Sequence, residues 1–460
     1  MEQQDPRARL KQALANGEAR LQPLTFPQRE IWETSPIAPG DPANNIGSFF
    51  EIKGPITYEL CEAAVQKAAG RQEVMRTSIL PGKERPLQII RSTGEAAIRY
   101  RELTESESKP DTLEEVLIES FREPFDLVRG PLYRLDMLRR GPNDFAFAVT
   151  MHHAIADGWS LGAFVEDLCG AYILCLKEAG KLGGTVSGLP NSLPPLPMTY
   201  SEWGAGERAR WQPAELERHA DFWKKRLSGS TLLFDDSKSE TGESGRLEKW
   251  VTSIPTQLSD AARDLARKTG VTPFSTFLSA FQLALHRWSG AEDITVGSPV
   301  ANRSKAKVRE TMGYFSGVVP LRCQIDTSQS FSAVLKNVHE ETVDSFAHAM
   351  PFAELAKSLG EPSSPNQHTL FDVRFAFQNH PVPDVVFPGV STKLKVWSTG
   401  TARFDIACEM TEDEGRFEIV WLFRRSVIPE TDLHELDRLF KGVLTAVCND
   451  PEITTHSMTI

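Results

Sequence analysis

Apolar residues in this chain fall into two spacings, and these sort much of it into strands and helices. The run Phe145-Ala146-Phe147-Ala148-Val149-Thr150-Met151 is short, apolar and partly aromatic, which predicts a buried strand. After it, Leu161, Phe164, Val165, Leu168, Tyr172 and Cys175 recur at helical spacing, with Ser160 placed to cap the helix. Upstream, Thr25 and Gln28 have capping-box spacing, so a helix is expected to start there. Strands and helices then alternate through residue 180. Further on, Thr272 and Pro273 supply a cap and a first-turn proline for a helix with Phe274, Phe277, Leu278, Phe281, Leu285 and Trp288 on one face, ended near Gly290. That stripe reads as core packing. A strand is expected over Ile294 to Val300, and another over Phe371 to Phe377, ending in Gln378-Asn379-His380-Pro381.

Two polar stretches interrupt this pattern. Lys181 to Tyr200 holds Gly183, Gly184, Gly188, Pro190, Pro194, Pro195 and Pro197, a composition suited to an extended linker. It divides the chain into an N-terminal lobe (1–185), a linker (186–200) and a C-terminal lobe (201–460). Asp235 to Arg246, rich in Ser, Glu and Gly, reads as a surface loop. No fixed-period repeat is visible.

The chain has 460 residues, 40% of them hydrophobic, enough for two domain-sized lobes with their own cores. Its net charge of -11 and pI near 5.5 give no overall attraction for a phosphate backbone, which argues against a nucleic-acid partner. The six cysteines, Cys61, Cys169, Cys175, Cys323, Cys408 and Cys448, form no CxxC pair and no zinc-type spacing, so no metal is expected and usage is of the reduced kind. Residues 1 to 20 are charged and polar. No stretch in the sequence reads as a membrane span of about eighteen apolar residues, so a cytoplasmic, membrane-free protein is expected.

Chemistry concentrates in His152-His153-Ala154-Ile155-Ala156-Asp157-Gly158, which puts a titratable base, a carboxylate and a glycine on one strand-to-helix turn. Side chains alternate along an extended segment, so the two histidines cannot face one cavity, and one is expected to be structural. Burying Asp157 unpaired is costly, so it should hold a histidine or meet an arginine from elsewhere. Gly158 would allow a positive φ or a close backbone approach to a ligand.

The segment resembles the HHxxxDG signature of the condensation domains of nonribosomal peptide synthetases. Further segments are similar in family order: Leu24-Thr25-Phe26-Pro27-Gln28-Arg29-Glu30-Ile31-Trp32; Arg71-Gln72-Glu73-Val74-Met75-Arg76-Thr77, with Gln72 where a histidine is usual; Pro124-Phe125-Asp126-Leu127 with Gly130-Pro131-Leu132-Tyr133-Arg134; Val296 to Arg303; and Met312-Gly313-Tyr314-Phe315. Two places depart from the pattern. Ser316-Gly317-Val318-Val319 stands where peptide-elongating members more often carry a valine-asparagine-threonine run. Glu361 to Asn366 only loosely resembles the loop before the late strand.

The resemblance implies an α/β fold of two chloramphenicol-acetyltransferase-like lobes in a V-shaped pseudo-dimer, acting as a monomer. It implies amide formation between an acyl thioester and the amine of an aminoacyl carrier, with His153 as base or as donor to the intermediate and the Gly158 amide as oxyanion donor. His152 and Asp157 would be structural, Asp157 braced by Arg303 or, second, by Arg76. Trp159, Ser160, Tyr314, Ser316, Gly317 and Asn379 would line the substrate tunnel. Substrates would arrive on coenzyme A and on the phosphopantetheine of carrier proteins, with a downstream aminoacyl carrier and an adjacent adenylation domain as partners. Only a short leader precedes the first motif and no carrier signature is encoded. With small residues at 316–319, this leads us to expect a starter-type domain taking a fatty acyl group from coenzyme A in lipopeptide synthesis. An elongation domain with a peptidyl-carrier donor is the alternative. An ester-forming acyltransferase with an HxxxD core lacks its expected late DFGWG run here, and a non-catalytic platform is opposed by the intact second histidine.

Overall fold

A computed structural model describes residues 6–34, 42, 44–82, 85–182, 190–234, 248–360, 370–378, 384–387, 390–393, 395–397, 404–413 and 415–460. Asn379, the Glu361–Asn366 loop and the segment from Asp235 to Arg246 lie outside the described residues. The chain divides into two compact units. The first comprises Met1–Arg210, Asn302–Phe315 and His380–Thr399; the second comprises Trp211–Ala301, Ser316–Asn379 and Gly400–Ile460.

In chain order the first half contains α1 (Pro6–Ala15), β1 (Ala19–Pro23), α2 (Phe26–Thr34), β2 (Asn45–Lys53), α3 (Tyr58–Arg71), β3 (Thr77–Leu80), β4 (Leu87–Arg91), β5 (Ile98–Glu102), α4 (Pro110–Arg122), β6 (Tyr133–Gly141), β7 (Asp144–His152), α5 (Gly158–Glu178) and α6 (Tyr200–Arg210). There follow α7 (Pro213–Arg226), β8 (Glu248–Ile254), α8 (Thr256–Thr269), α9 (Pro273–Ser289), β9 (Asp293–Val300), β10 (Gly317–Gln324), α10 (Phe331–Ala347), α11 (Phe352–Ser358), β11 (Val373–Gln378), β12 (Asp384–Phe387), β13 (Val390–Lys393), β14 (Lys395–Trp397), β15 (Ile406–Asp413), β16 (Arg416–Phe423) and α12 (Glu430–Asn449).

The first unit is built on a five-stranded sheet, β14-β2-β7-β6-β5, with a small antiparallel sheet, β1-β4-β3, beside it. Strand β7 is apolar throughout because both of its faces are covered. Phe145, Phe147, Val149 and Met151 join the larger core, to which α3 and α5 contribute Ala64, Val65, Leu161 and Phe164. Ala146 and Ala148 face a second cluster with Leu113, Val116, Leu117 and Phe121 of α4. A strand covered on both sides loses the polar alternation of a half-exposed one. Truncating a fully buried ring such as Phe147 costs about 3–5 kcal/mol in a core of this kind.

The expected capping box is present at the start of α2. The Thr25 Oγ1 accepts from the Gln28 amide at 3.3 Å, and the Thr25 amide donates back to Gln28 Oε1 at 3.0 Å. Against the expectation from sequence, α5 is one described helix long and apolar enough to cross a membrane; most of its surface is buried inside the protein.

The second unit carries a six-stranded mixed sheet, β10-β9-β11-β15-β16-β8, in which β11 runs parallel to both neighbours. Helix α9 begins and ends where its sequence signals put it. Thr272 Oγ1 accepts from the Ser275 amide at 3.1 Å, and Gly290 closes the helix at a left-handed φ of 76°. Its Phe277 and Phe281 meet Phe375, Phe417, Trp421 and Phe440.

The division differs from a break at 186–200. Residues 183–189 lie outside the described residues, but from Pro190 onward the chain is tied to the first unit. Leu193 and Met198 pack on its core, the Pro194 carbonyl accepts from Arg71 Nε at 2.7 Å, and α6 sinks Tyr200 and Trp203 into the same core. From Pro190 to Thr199 the chain forms neither helix nor strand, as its prolines favour. They carry no information on which distant side chains hold it down.

Candidate active site

Strand β7 ends at His152, paired with Asn45 of β2, and the chain then turns into α5. His152 is buried; its Nδ1 accepts from the Ala154 amide at 3.1 Å, and its ring meets Phe125 edge-on at 6.4 Å. The bond closes the turn that follows the strand. His153, half-buried, donates its own amide to the Asn44 carbonyl at 2.7 Å. Its Nδ1 lies 3.0 Å from the Ala156 carbonyl oxygen. A carbonyl can only accept, so Nδ1 carries a proton, and in the neutral ring the lone pair lies on Nε2. The Tyr314 ring sits 5.2 Å from the imidazole, centroid to centroid.

Asp157, rather than the expected Ser160, caps α5. Its Oδ1 accepts from the Ser160 amide at 2.9 Å, because Asp157 is the last residue outside the helix and Ser160 already lies in the first turn. Gly158 is the helix's first residue and does not have a positive φ, so the turn does not require glycine's left-handed freedom. Its amide is one of the four at a helix start that have no acceptor within the helix.

The same carboxylate collects three more donors. Arg303 Nη2 reaches Oδ1 at 2.9 Å, the Ser160 hydroxyl lies 2.8 Å from it, and the Phe315 amide donates to Oδ2 at 3.1 Å. Arg303 is itself heavily engaged: Nη1 donates to the Val308 and Thr311 carbonyls at 2.8 and 2.7 Å, and its guanidinium lies 3.9 Å from the Phe315 ring centroid. Both side chains are almost wholly buried, 1% and 3% exposed, so each charge depends on the other. Arg76, the second expected partner, instead donates to the Arg91 carbonyl from the short turn after α3; burial lowers its pKa.

Through these bonds the segment 302–315 is sewn onto α5. Asn302 starts it at φ 51°, a left-handed conformation that asparagine tolerates, and its Nδ2 donates to the Phe315 carbonyl at 2.9 Å. The Gly313 amide donates to Ser160 Oγ at 3.0 Å. A Cβ at Gly313 would stand 2.2 Å from the Tyr200 ring, so only glycine fits there. The Tyr200 hydroxyl donates to the Tyr314 carbonyl at 2.6 Å, and Trp159 Nε1 donates to the Arg309 carbonyl at 2.8 Å. Trp159, Ser160 and Tyr314 are thus brought together with His153. Ser316 and Gly317, also expected at the site, belong to the second unit, where Gly317 opens β10 opposite Val300.

Gln72 was legible only as a departure from a usual histidine. Fully buried, it donates through Nε2 to Asp167 Oδ2 at 2.7 Å and to the Glu310 carbonyl at 2.9 Å, and accepts from the Met312 amide at 2.9 Å. Arg71 donates to the other oxygen of Asp167 at 2.6 Å. Burial pushes the Asp167 carboxyl up to about 6 from 3.8, against the pull of Gln72 and Arg71. Between about pH 4 and pH 6 the folded chain therefore keeps a proton that the unfolded chain has released. Stability from this group falls as pH rises through that window, by about 3 kcal/mol in all. The melting-temperature difference between Asp167→Asn and the parent is expected to move in the variant's favour from pH 4 to 6 and then level off. A difference that stays constant across the window would remove Asp167 as its source.

A profile of the condensation domain matches residues 18–460, and the chain belongs to that family, the amide-forming acyltransferases of nonribosomal peptide synthesis. It is 28% identical over 444 residues to phosphinothricin tripeptide synthetase PhsC of Streptomyces viridochromogenes, covering 93% of this chain and 39% of that protein. It is also 28% identical over 440 residues to a linear gramicidin synthase of Brevibacillus parabrevis, covering 93% and 6%. The chain therefore spans a minor part of these relatives. Among solved structures, the X-domain from teicoplanin biosynthesis aligns with a TM-score of 0.81 at 21% identity, over 95% of this chain and 97% of that one. A four-domain nonribosomal peptide synthetase bound to AMP and glycine aligns at 0.77 and 18% identity, over 95% of this chain and 33% of that one. These share the mixed α/β fold expected from the sequence.

Proposed function

We propose that this domain joins a fatty acyl thioester, delivered on coenzyme A, to the amine of an aminoacyl group held on a downstream carrier protein. The observation that carries the chemistry is the 3.0 Å contact between His153 Nδ1 and the Ala156 carbonyl, which leaves the lone pair on Nε2. Such a nitrogen takes the proton that the attacking amine sheds as its lone pair forms the C–N bond, and can return it to the thiolate that departs when the C–S bond breaks. The thioester is already activated, so a base adds typically 10²- to 10⁴-fold, while aligning the two substrates supplies effective molarities of roughly 10⁵ M or more. The Gly158 amide is our choice of donor to the oxyanion, in a position where one such bond is worth about 10²–10³ in rate.

The fatty donor is supported by Gly317-Val318-Val319 at the start of β10, small and apolar side chains in place of polar ones, against an alkyl chain whose burial is worth roughly 0.8 kcal/mol per methylene. A peptidyl-carrier donor is the second reading, favoured by the multi-enzyme size of the gramicidin and phosphinothricin relatives. Carrier and adenylation domains are partners in either case. In both readings the domain acts as a monomer.

The readings separate on incubation with an aminoacyl carrier and a panel of acyl-CoAs and acyl carriers, with N-acylated product read by mass spectrometry. The rate is expected to climb with acyl-CoA length to an optimum, which Gly317→Phe shortens. Inactivity with every acyl-CoA alongside activity with a peptidyl carrier would replace the first reading by the second.

A further inference from the structure

The second unit holds an open-mouthed cavity of about 490 Å³, lined by none of the residues placed at the active site above. This lies within the roughly 300–1,000 Å³ typical of small-molecule sites. Its walls come from seven elements of that one unit, with Arg263 of α8 and Glu412 of β15 among them. Phe274 stands on the first turn of α9, Val343 and Phe346 on α10, Phe377 on β11 and Phe417 on β16, while β9 contributes Ser298 to Val300.

Three observations make this more than a packing defect. First, the cavity is lined by apolar groups that a compact unit would normally cover: Val343 and Phe346 remain 53% and 36% exposed on its rim. Second, Ser298 lines it at 1% exposure with no hydrogen-bond partner for its hydroxyl among the described residues. A buried hydroxyl without a partner costs roughly what a lost hydrogen bond does, and a ligand acceptor or donor would relieve it. Third, the charges on the wall are spoken for. Arg263 donates to Glu412 at 2.9 Å and to Asp260 at 2.7 Å, and His339 Nδ1 is 2.9 Å from the Ser275 hydroxyl. The site therefore favours an uncharged, apolar ligand.

We infer that this cavity is an acyl-chain site: it takes the alkyl part of a medium-length acyl group, whose thioester stays outside it. The inference rests on the fatty-donor reading above and gives it a location. The β9 wall of the cavity is the strand paired with Gly317-Val318-Val319, Val300 lying opposite Gly317 and Ser298 opposite Val319, so these residues run in the strand next to the wall.

The test is direct binding to the full chain of N-acetylcysteamine thioesters from acetyl to dodecanoyl, by calorimetry. Affinity is expected to rise about fourfold per methylene until the cavity is filled and then level off. Val343→Trp, a change at an exposed position that closes the mouth, is expected to lower decanoyl affinity at least tenfold without shifting the melting temperature. Affinity independent of chain length, or wild-type decanoyl affinity in Val343→Trp, would overturn the site. The two readings fail separately. If the chain-length ladder and the Val343→Trp loss hold but no acyl-CoA gives N-acylated product, the site stands and the coenzyme A donor falls. If product forms with a chain-length optimum that Val343→Trp leaves in place, the donor stands and the site falls.

Discussion

Replacing His153 with alanine is expected to lower amide formation by roughly 10²- to 10⁴-fold while the melting temperature stays at the parental value. The size follows from what is removed. Alignment of the two thioester-borne substrates survives the change; the proton acceptor does not. The retained stability follows from the place of the ring, which is half-buried, beside the Ala156 carbonyl and the Tyr314 ring, and not in the core that holds β7. His152→Ala is the contrast. Its ring accepts the Ala154 amide inside the fold, so its loss is expected to show first in the melting temperature. The measurements are single-turnover rates by mass spectrometry beside thermal unfolding by circular dichroism. A His153→Ala enzyme within threefold of the parental rate would end the assignment of Nε2 as the base, and equal fold-neutral losses at both histidines would end the division of roles.

Arg303→Ala is expected to cost about 3–5 kcal/mol, because it strands the Asp157 carboxylate in the interior and releases the Val308 and Thr311 carbonyls together. For a unit of this size that is a fall of roughly 6–20 °C in melting temperature. Asp157→Ala should cost a similar amount, since it also removes the cap of α5 and the acceptor of the Phe315 amide. The double variant discriminates between a charge pair and two separate supports. With both charges gone nothing is left stranded, so the double loss should be clearly smaller than the sum. Additive losses would mean that the pair contributes nothing beyond its separate hydrogen bonds.

Local pattern placed most of the elements around the site. Strand β7 and helix α9 occupy the spans their apolar residues and caps indicate, and the late strand starts at Val373, two residues after the expected Phe371. Family resemblance pairs Asp157 with Arg303, and the structure brings them together at 2.9 Å. What was not legible depends on contacts far apart in sequence. The cap fell to Asp157 instead of Ser160 because both residue types cap well, and only the backbone turn decides which lies outside the first helical residue. The parts played by Gln72 and Tyr200 are set by a segment more than a hundred residues downstream, and that of Asp167 by Arg71 and Gln72 far upstream, which no periodicity in their own neighbourhood records. Strand β14 is three residues long, too short for any alternation to announce it, yet it adds an edge to the sheet of β2 and β7.

The itinerary of the chain bears on how such enzymes are recombined. A chimera spliced within residues 186–200 would take its first 185 residues from one parent and its 302–315 segment and β14 from another. The guanidinium that neutralises Asp157, the amide that meets Gln72 and the strand that covers the edge of β2 would then all be foreign to the half they complete. A graft that respects the architecture has to carry residues 302–315 and 380–399 along with residues 1–210 as one inherited block.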